Sequence, residues 1–150
     1  MSSYFEMSQD LQKLVDDVMI SSNPYLSTIG IDFIYLGVDK QSSVIQITKS
    51  SPLLNYISKK DEMVFVIIYE DAFDRLELEQ QKLIVANALN FVEFNDENGK
   101  TTIVKGEIHE GTYLKYREKL VLSIFAGQHA IRQIEEEKKE EKKNKKSKKV

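Results

Sequence analysis

Cysteine is absent from this chain of 150 residues, and histidine occurs only twice. Without cysteine the chain can form no disulfide, no thiolate metal site and no cysteine nucleophile. No apolar run approaches the roughly 20 residues that a membrane helix requires. The first residues, MSSYFEMSQDLQK, lack the basic flank and the apolar stretch of a secretory signal. These absences predict a protein of the cytoplasm or of the interior of a virus particle.

The two histidines do not form a metal-binding pattern. His109 and His129 are too far apart in sequence to be ligands on successive turns of one helix. Zinc hydrolases use two or three imidazole or carboxylate ligands together with a carboxylate base. We interpret His109 as a loop histidine among solvated acids and His129 as a residue bordering an apolar helix face. We therefore expect no bound metal and no cofactor.

Other catalytic motifs are missing as well. No serine lies in a G-x-S-x-G elbow, and the six glycines never adopt the spacing of a phosphate-binding or dinucleotide-binding loop. A cluster of acids precedes a predicted helix, where carboxylates favour the positive end of the helix dipole. Its members are Asp71, Asp74, Glu77 and Glu79. The sequence thus predicts a protein that is not an enzyme, and an unrecognised serine or carboxylate site is the alternative.

Charge divides the chain into two parts. The net charge is −3, but residues 135–150 contain eight lysines and five glutamates, a surplus of +3. Residues 1–134 retain 13 basic and 19 acidic residues, a net charge of −6. A chain of this size buries roughly 70% of its unfolded surface, which is enough for one core. We predict a single domain over residues 1–134 and a charged tail over residues 135–150 that is a fraying helix or disordered.

Hydrophobic periodicity predicts three helices. The first is indicated by Leu11, Leu14, Val15, Val18 and Met19. We expect a capping box of Ser3 and Glu6 before it and an end before Pro24. A second helix is predicted over residues 76–89, and a long third helix is predicted to begin at a Thr112 cap. The apolar stripe of this third helix comprises Leu120, Val121, Ile124, Phe125, Ile131 and Ile134.

Strands are predicted between these helices. Residues 63–69 are seven apolar residues in a row, which is typical of a central strand covered on both faces. Residues 29–36 and 44–48 are predicted to form one hairpin, and residues 91–94 and 101–104 a second one around an Asn-Gly turn. The fold class is α/β (α+β): a small mixed sheet of about four to five strands, packed by the N-terminal and central helices, with a long C-terminal helix.

The middle of the chain resembles a family of small zincin-like metallopeptidase domains encoded by bacteriophages. The resemblance covers residues 23–120 and is clearest at VFVIIYEDAFDRL, residues 64–76. In that family a hydrophobic strand and an acidic, aromatic step precede a helix bearing H-E-x-x-H. Those positions fall here on Asn87, Ala88 and Phe91, which are a poor ligand, a residue without a proton acceptor and an apolar ring. The resemblance therefore implies a peptidase-like scaffold without the catalytic residues.

Two functions remain open. The first is a non-catalytic phage protein that binds an unidentified phage or host protein, either in the host cytoplasm or in the virion. The second is a nucleic-acid-associated accessory protein that contacts phosphates through its tail, although the glutamates offset charge and no aromatic residue is present for base stacking. The lysines concerned are Lys138, Lys139, Lys142, Lys143, Lys145, Lys146, Lys148 and Lys149.

Overall fold

A computed structural model describes residues 2–60 and 62–148, the last two of these without their side chains. It confirms the mixed α+β class. The first half contains β1 (Tyr4–Glu6), α1 (Gln9–Ser22), α2 (Tyr25–Thr28), β2 (Asp32–Val38), β3 (Ile45–Lys49) and α3 (Pro52–Ser58). The second half contains β4 (Met63–Tyr69), α4 (Glu70–Phe73), α5 (Leu78–Leu89), β5 (Val92–Asn95), β6 (Lys100–Ile103), α6 (Glu110–Tyr116) and α7 (Glu118–Lys148). None of the described helices is both long enough and apolar enough to cross a membrane.

The main sheet has the order β1-β2-β4-β3, with β4 parallel to β2 and antiparallel to β3. The predicted central strand is confirmed, since Val64, Val66 and Ile68 are fully buried and Ile67 is 6% exposed. Phe65 is half-buried. The predicted first hairpin is wrong, because β4 lies between β2 and β3. A strand that is apolar on both faces loses more water-exposed surface at the centre of a sheet than at its edge.

Helices α1, α5 and α7 enclose the core with this sheet. The predicted packing of the central helix is confirmed, with Val85 and Leu89 fully buried. The first helix ends at Ser22 before Asn23 and Pro24, as predicted.

The predicted capping box before α1 is wrong, because residues 4–6 form β1 instead. This strand pairs with β2, and the Ser3 N–H donates to Asp39 Oδ1 at 2.7 Å. Phe5 lies opposite Gly37 in this pairing, and its ring occupies the space where a side chain at Gly37 would be. Helix α1 follows Ser8, which makes no side-chain cap hydrogen bond.

The C-terminal region differs from the single capped helix that the sequence predicts. Helices α6 and α7 are separate, because the chain turns at Arg117 with φ of 53°. His109, not Thr112, caps α6, and Thr112 is buried inside that helix. The β5–β6 hairpin is confirmed, with Gly99 at φ of 67° in its turn.

The apolar stripe of α7 is partly confirmed. Leu120, Ile131 and Ile134 are buried, but Phe125 is 59% exposed. Val121 and Ile124 are half-buried. The helix then continues through the predicted tail to Lys148, and residues 135–146 are exposed.

Candidate functional site

An apolar groove of about 470 Å³ lies beside β3. This volume is within the range of ligand-binding clefts. Helices α5 and α7 contribute residues to the groove, and the segment that follows β6 forms another side. Its principal lining residues are Val44, Ile45, Ile47, Ile84, Asn87, Ala88, Phe91, Ile103, Val104, Gly106, Ile124 and Gly127.

The structure brings together the three positions that the resemblance singled out. Asn87, Ala88 and Phe91 all line this groove. However, α5 ends at Leu89, so Phe91 lies beyond the helix and not on its next turn. The positions share a cavity, but they do not share one helical face in the manner of an H-E-x-x-H pair.

Asn87 uses both polar atoms of its side chain to hold the segment after β6. Its Nδ2 donates to the Glu107 carbonyl at 2.8 Å, and its Oδ1 accepts from the His109 N–H at 2.8 Å. The side chain is 5% exposed. Because a buried polar group is costly to leave unpaired, this arrangement makes Asn87 a structural clamp on one side of the groove.

Phe91 supports the same segment through its ring. The ring is 9% exposed and meets the His109 imidazole edge to face, with centroids 5.2 Å apart. A Cβ atom at Gly106 would lie 2.9 Å from the ring, so that glycine permits the close approach of the backbone. His109 Nδ1 accepts from the Gly111 N–H at 3.1 Å. The histidine is therefore a packed cap residue and not the solvated loop residue that the sequence suggested.

The hydrogen bonds at the two ends of β3 determine which of its backbone groups face β4. Tyr69 N donates to Val44 O, and Ser50 N donates to Met63 O, both at 2.8 Å. In an antiparallel ladder, the residues that bond to the neighbouring strand alternate along the chain. The even-numbered residues of 44–50 therefore bond to β4.

The odd-numbered residues of β3 direct their backbone groups to the open edge of the sheet. These residues are Ile45, Ile47 and Lys49. The Ile45 carbonyl accepts from Ser43 Oγ at 3.0 Å. The N–H and the C=O of Ile47 have no hydrogen-bond partner among residues 2–60 and 62–148. The groove thus runs along an unpaired strand edge.

A polar tether joins the end of β3 to β6 of the second sheet. Glu62 accepts from the Thr101 N–H at 2.9 Å and from Lys49 Nζ at 3.1 Å. Lys49 Nζ also donates to the Thr101 carbonyl at 3.1 Å. The hydrogen bond from Thr101, with the Lys49 ammonium, lowers the pKa of the Glu62 carboxyl, so the tether is ionised at neutral pH.

Sequence reasoning missed the residues that shape the groove outside α5. Gly127 is the clearest case, because a Cβ there would lie 2.8 Å from Val44 Cγ2. A glycine in the apolar part of a long helix costs helix stability, which signals a close approach to a neighbour. The segment 103–107 carried no comparable signal.

The remaining site predictions lie away from the groove. Glu77 is the N-cap of α5 and Glu79 lies in its first turn, as predicted, and the Glu77 N–H donates to Gln80 Oε1 at 3.1 Å. Asp71 lies in α4, and Asp74 follows it; burial, with the nearby Glu70 and Asp71 charges, raises the pKa of Asp74.

His129 is exposed on α7. The described part of the chain contains no group of three or more histidine, aspartate or glutamate side chains that could hold a metal. Among the tail lysines, the side chains from Lys138 to Lys146 are exposed, that of Lys148 is not described, and Lys149 lies outside the described residues.

The purified protein should contain no stoichiometric zinc and should cleave no peptide. Asn87 is engaged by two backbone groups, and Phe91 provides an apolar ring where a ligand would be needed. Elemental analysis of the protein after dialysis against zinc measures this. One zinc per chain that disappears in His109→Ala would contradict the prediction.

No known family model, curated protein or solved structure matches this chain.

Proposed function

We propose that this chain is a non-catalytic protein-binding domain, and that the groove beside β3 takes up an extended segment of its partner. The observation that carries this proposal is the open backbone edge at Ile47 beside an apolar cleft. An extended peptide can add itself to such an edge through main-chain hydrogen bonds. Exposed strand edges favour aggregation, so proteins usually protect them. A binding role for this edge would explain why it is left unprotected.

The lining of the groove indicates which partner segments fit. A strand added to β3 would direct every second side chain to the same face. The groove offers Ile84, Ala88 and Ile124 as apolar surface for those side chains. A segment with alternating apolar and polar residues therefore matches the groove, because its apolar residues face the lining and its polar residues remain in water.

The resemblance to phage metallopeptidase domains adds a biological setting to this proposal. In that setting the chain is a bacteriophage protein with a peptidase-derived scaffold. It acts in the host cytoplasm or in the virion, and its partner is a phage or host protein. The occupied amide of Asn87, the methyl group of Ala88 and the apolar ring of Phe91 support a binding role over a catalytic one.

Replacing Ile47 with proline should weaken peptide binding about tenfold or more without unfolding the protein. The Ile47 N–H points away from β4, so proline removes an outward donor and no ladder hydrogen bond. The matched control is Ile47→Ala, which shortens the same side chain but keeps the N–H. Both variants should show the circular dichroism spectrum of the parent protein.

A random library of displayed dodecapeptides, selected on the parent protein, provides the ligands for this test. Enriched peptides should alternate apolar and polar residues and bind the parent and Ile47→Ala within a few-fold of each other. Their affinity for Ile47→Pro should fall about tenfold or more, which corresponds to about 1.4 kcal/mol. Peptides that bind Ile47→Pro as tightly as Ile47→Ala would show that the edge is not used, and a selection without enrichment would also contradict the proposal.

A further inference from the structure

Charges on the tail part of α7 are segregated around the helix axis. At about 100° per residue, one arc of roughly 160° contains lysines from Lys138 to Lys146. Its members are Lys138, Lys139, Lys142, Lys143, Lys145 and Lys146, which we call the lysine face. The opposite arc of roughly 140° contains Glu136, Glu137, Glu140 and Glu141. Among residues 135–146, only Glu135, which lies inside the lysine arc, departs from this division.

A salt bridge joins the base of the tail to the domain. Arg75 binds Glu137 with both nitrogens of its guanidinium fork, at 3.0 Å to Oε1 and 2.7 Å to Oε2. The contact lowers the pKa of the Glu137 carboxyl, so the bridge stays ionised well below neutral pH. Glu137 is therefore the member of the glutamate arc that contacts the domain, while the side chains of the lysine face are exposed.

The far end of the lysine face lies away from the contact of Glu137 with the acidic domain. Residues 1–134 have a net charge of −6, which would repel a polyanion at close range. At about 1.5 Å per residue, Lys145 lies roughly 12 Å along the axis from Glu137. The Debye length is about 8 Å at physiological ionic strength, so the charge of the domain is largely screened at that distance.

We propose that the lysine face of α7 binds the phosphates of duplex nucleic acid without sequence specificity. A duplex offers a dense, regular array of negative charge, about one per 1.7 Å of axis, to which an ordered row of lysines is complementary. Binding to single strands usually adds base stacking on aromatic rings, and the tail has none. Insertion into an anionic membrane requires an apolar helix face, and residues 135–149 contain no apolar residue.

The test measures binding of the full chain to a short fluorescein-labelled DNA duplex by anisotropy, between 50 and 200 mM KCl. If about four phosphates are neutralised, the slope of log K against log salt is about −3.6, and affinity falls roughly 150-fold over this range. Deleting residues 139–150 should abolish binding while the melting temperature stays nearly unchanged. The Ile47→Pro variant should bind DNA like the parent protein, which separates this inference from the groove.

An isomeric variant tests the face itself. K139E/E140K/E141K/K142E has the composition and net charge of the parent tail but places glutamates inside the lysine arc. We expect its affinity for the duplex at 50 mM KCl to fall about fivefold or more, with a shallower salt slope and unchanged helicity. Equal affinity of parent and isomer would overturn the proposal, as would the absence of duplex binding at 50 mM KCl. Tighter binding to phosphatidylglycerol vesicles or to polyglutamate than to the duplex would overturn it as well.

Discussion

Replacing Phe73 with alanine should lower the free energy of unfolding by about 3–5 kcal/mol. Phe73 ends α4 directly after the central strand, and its side chain is fully buried. It belongs to the core cluster together with Ala130 and Ile131 of α7. Truncation would leave a cavity between elements that cannot fully collapse around it, which adds to the lost transfer energy. Urea unfolding followed by circular dichroism measures the change.

Phe125→Ala is the matched control for this prediction, because it removes the same atoms from a ring that is 59% exposed. We expect a change of less than about 1 kcal/mol, since little apolar surface is returned to water. Similar losses in the two variants would mean that burial in this structure does not distinguish the two rings.

The elements with strong periodicity could be predicted from the sequence. Seven consecutive apolar residues predicted the central strand, and apolar faces predicted α5 and the start of α7. Strand neighbours could not be predicted in the same way. Adjacent segments usually pair, which favoured a hairpin of residues 29–36 with 44–48. The preference of β4 for a position buried on both faces outweighed that tendency and separated the two strands.

Short elements escaped prediction for a different reason. Strand β1 has three residues and α4 has four, too few to show a period. Their stability comes from contacts with distant residues, such as the pairing of Phe5 with Gly37. The acids around α4 were interpreted only as favourable charges at the start of a helix. The burial of Phe73 between them could not be predicted, because a single apolar residue shows no periodicity.

The sequence could predict which residues of α5 and its end lie at the groove, but not what those residues do there. The resemblance directed attention to Asn87, Ala88 and Phe91, and these residues do line one cavity. The hydrogen bonds of Asn87 join it to Glu107 and His109, about twenty residues away along the chain. The open edge of β3 depends in turn on which strand lies beside it. Both features arise from tertiary structure that local pattern does not encode.

Replacing Asn87 with alanine should lower the free energy of unfolding by about 1–3 kcal/mol and loosen the segment that follows β6. The loss has two parts, because the Glu107 carbonyl loses its donor and the His109 N–H loses its acceptor. Urea unfolding measures the first effect, and faster hydrogen exchange of the His109 amide measures the second. Asn144→Ala is the matched control, since that asparagine is exposed on α7, and alanine there should be neutral or slightly stabilising.

Asn87→Asp separates the two hydrogen bonds. A carboxylate keeps an acceptor for the His109 N–H but cannot donate to the Glu107 carbonyl, whereas a protonated carboxyl can do both. Burial and the facing carbonyl should raise the folded-state pKa of the introduced carboxyl above its unfolded value. The free energy of unfolding of the variant should therefore be closest to that of the parent below the unfolded pKa of about 4. It should decrease relative to the parent as pH rises through the folded pKa. A stability difference that does not change with pH would mean that the Glu107 carbonyl does not depend on this donor. The clamp would then rest on His109 alone.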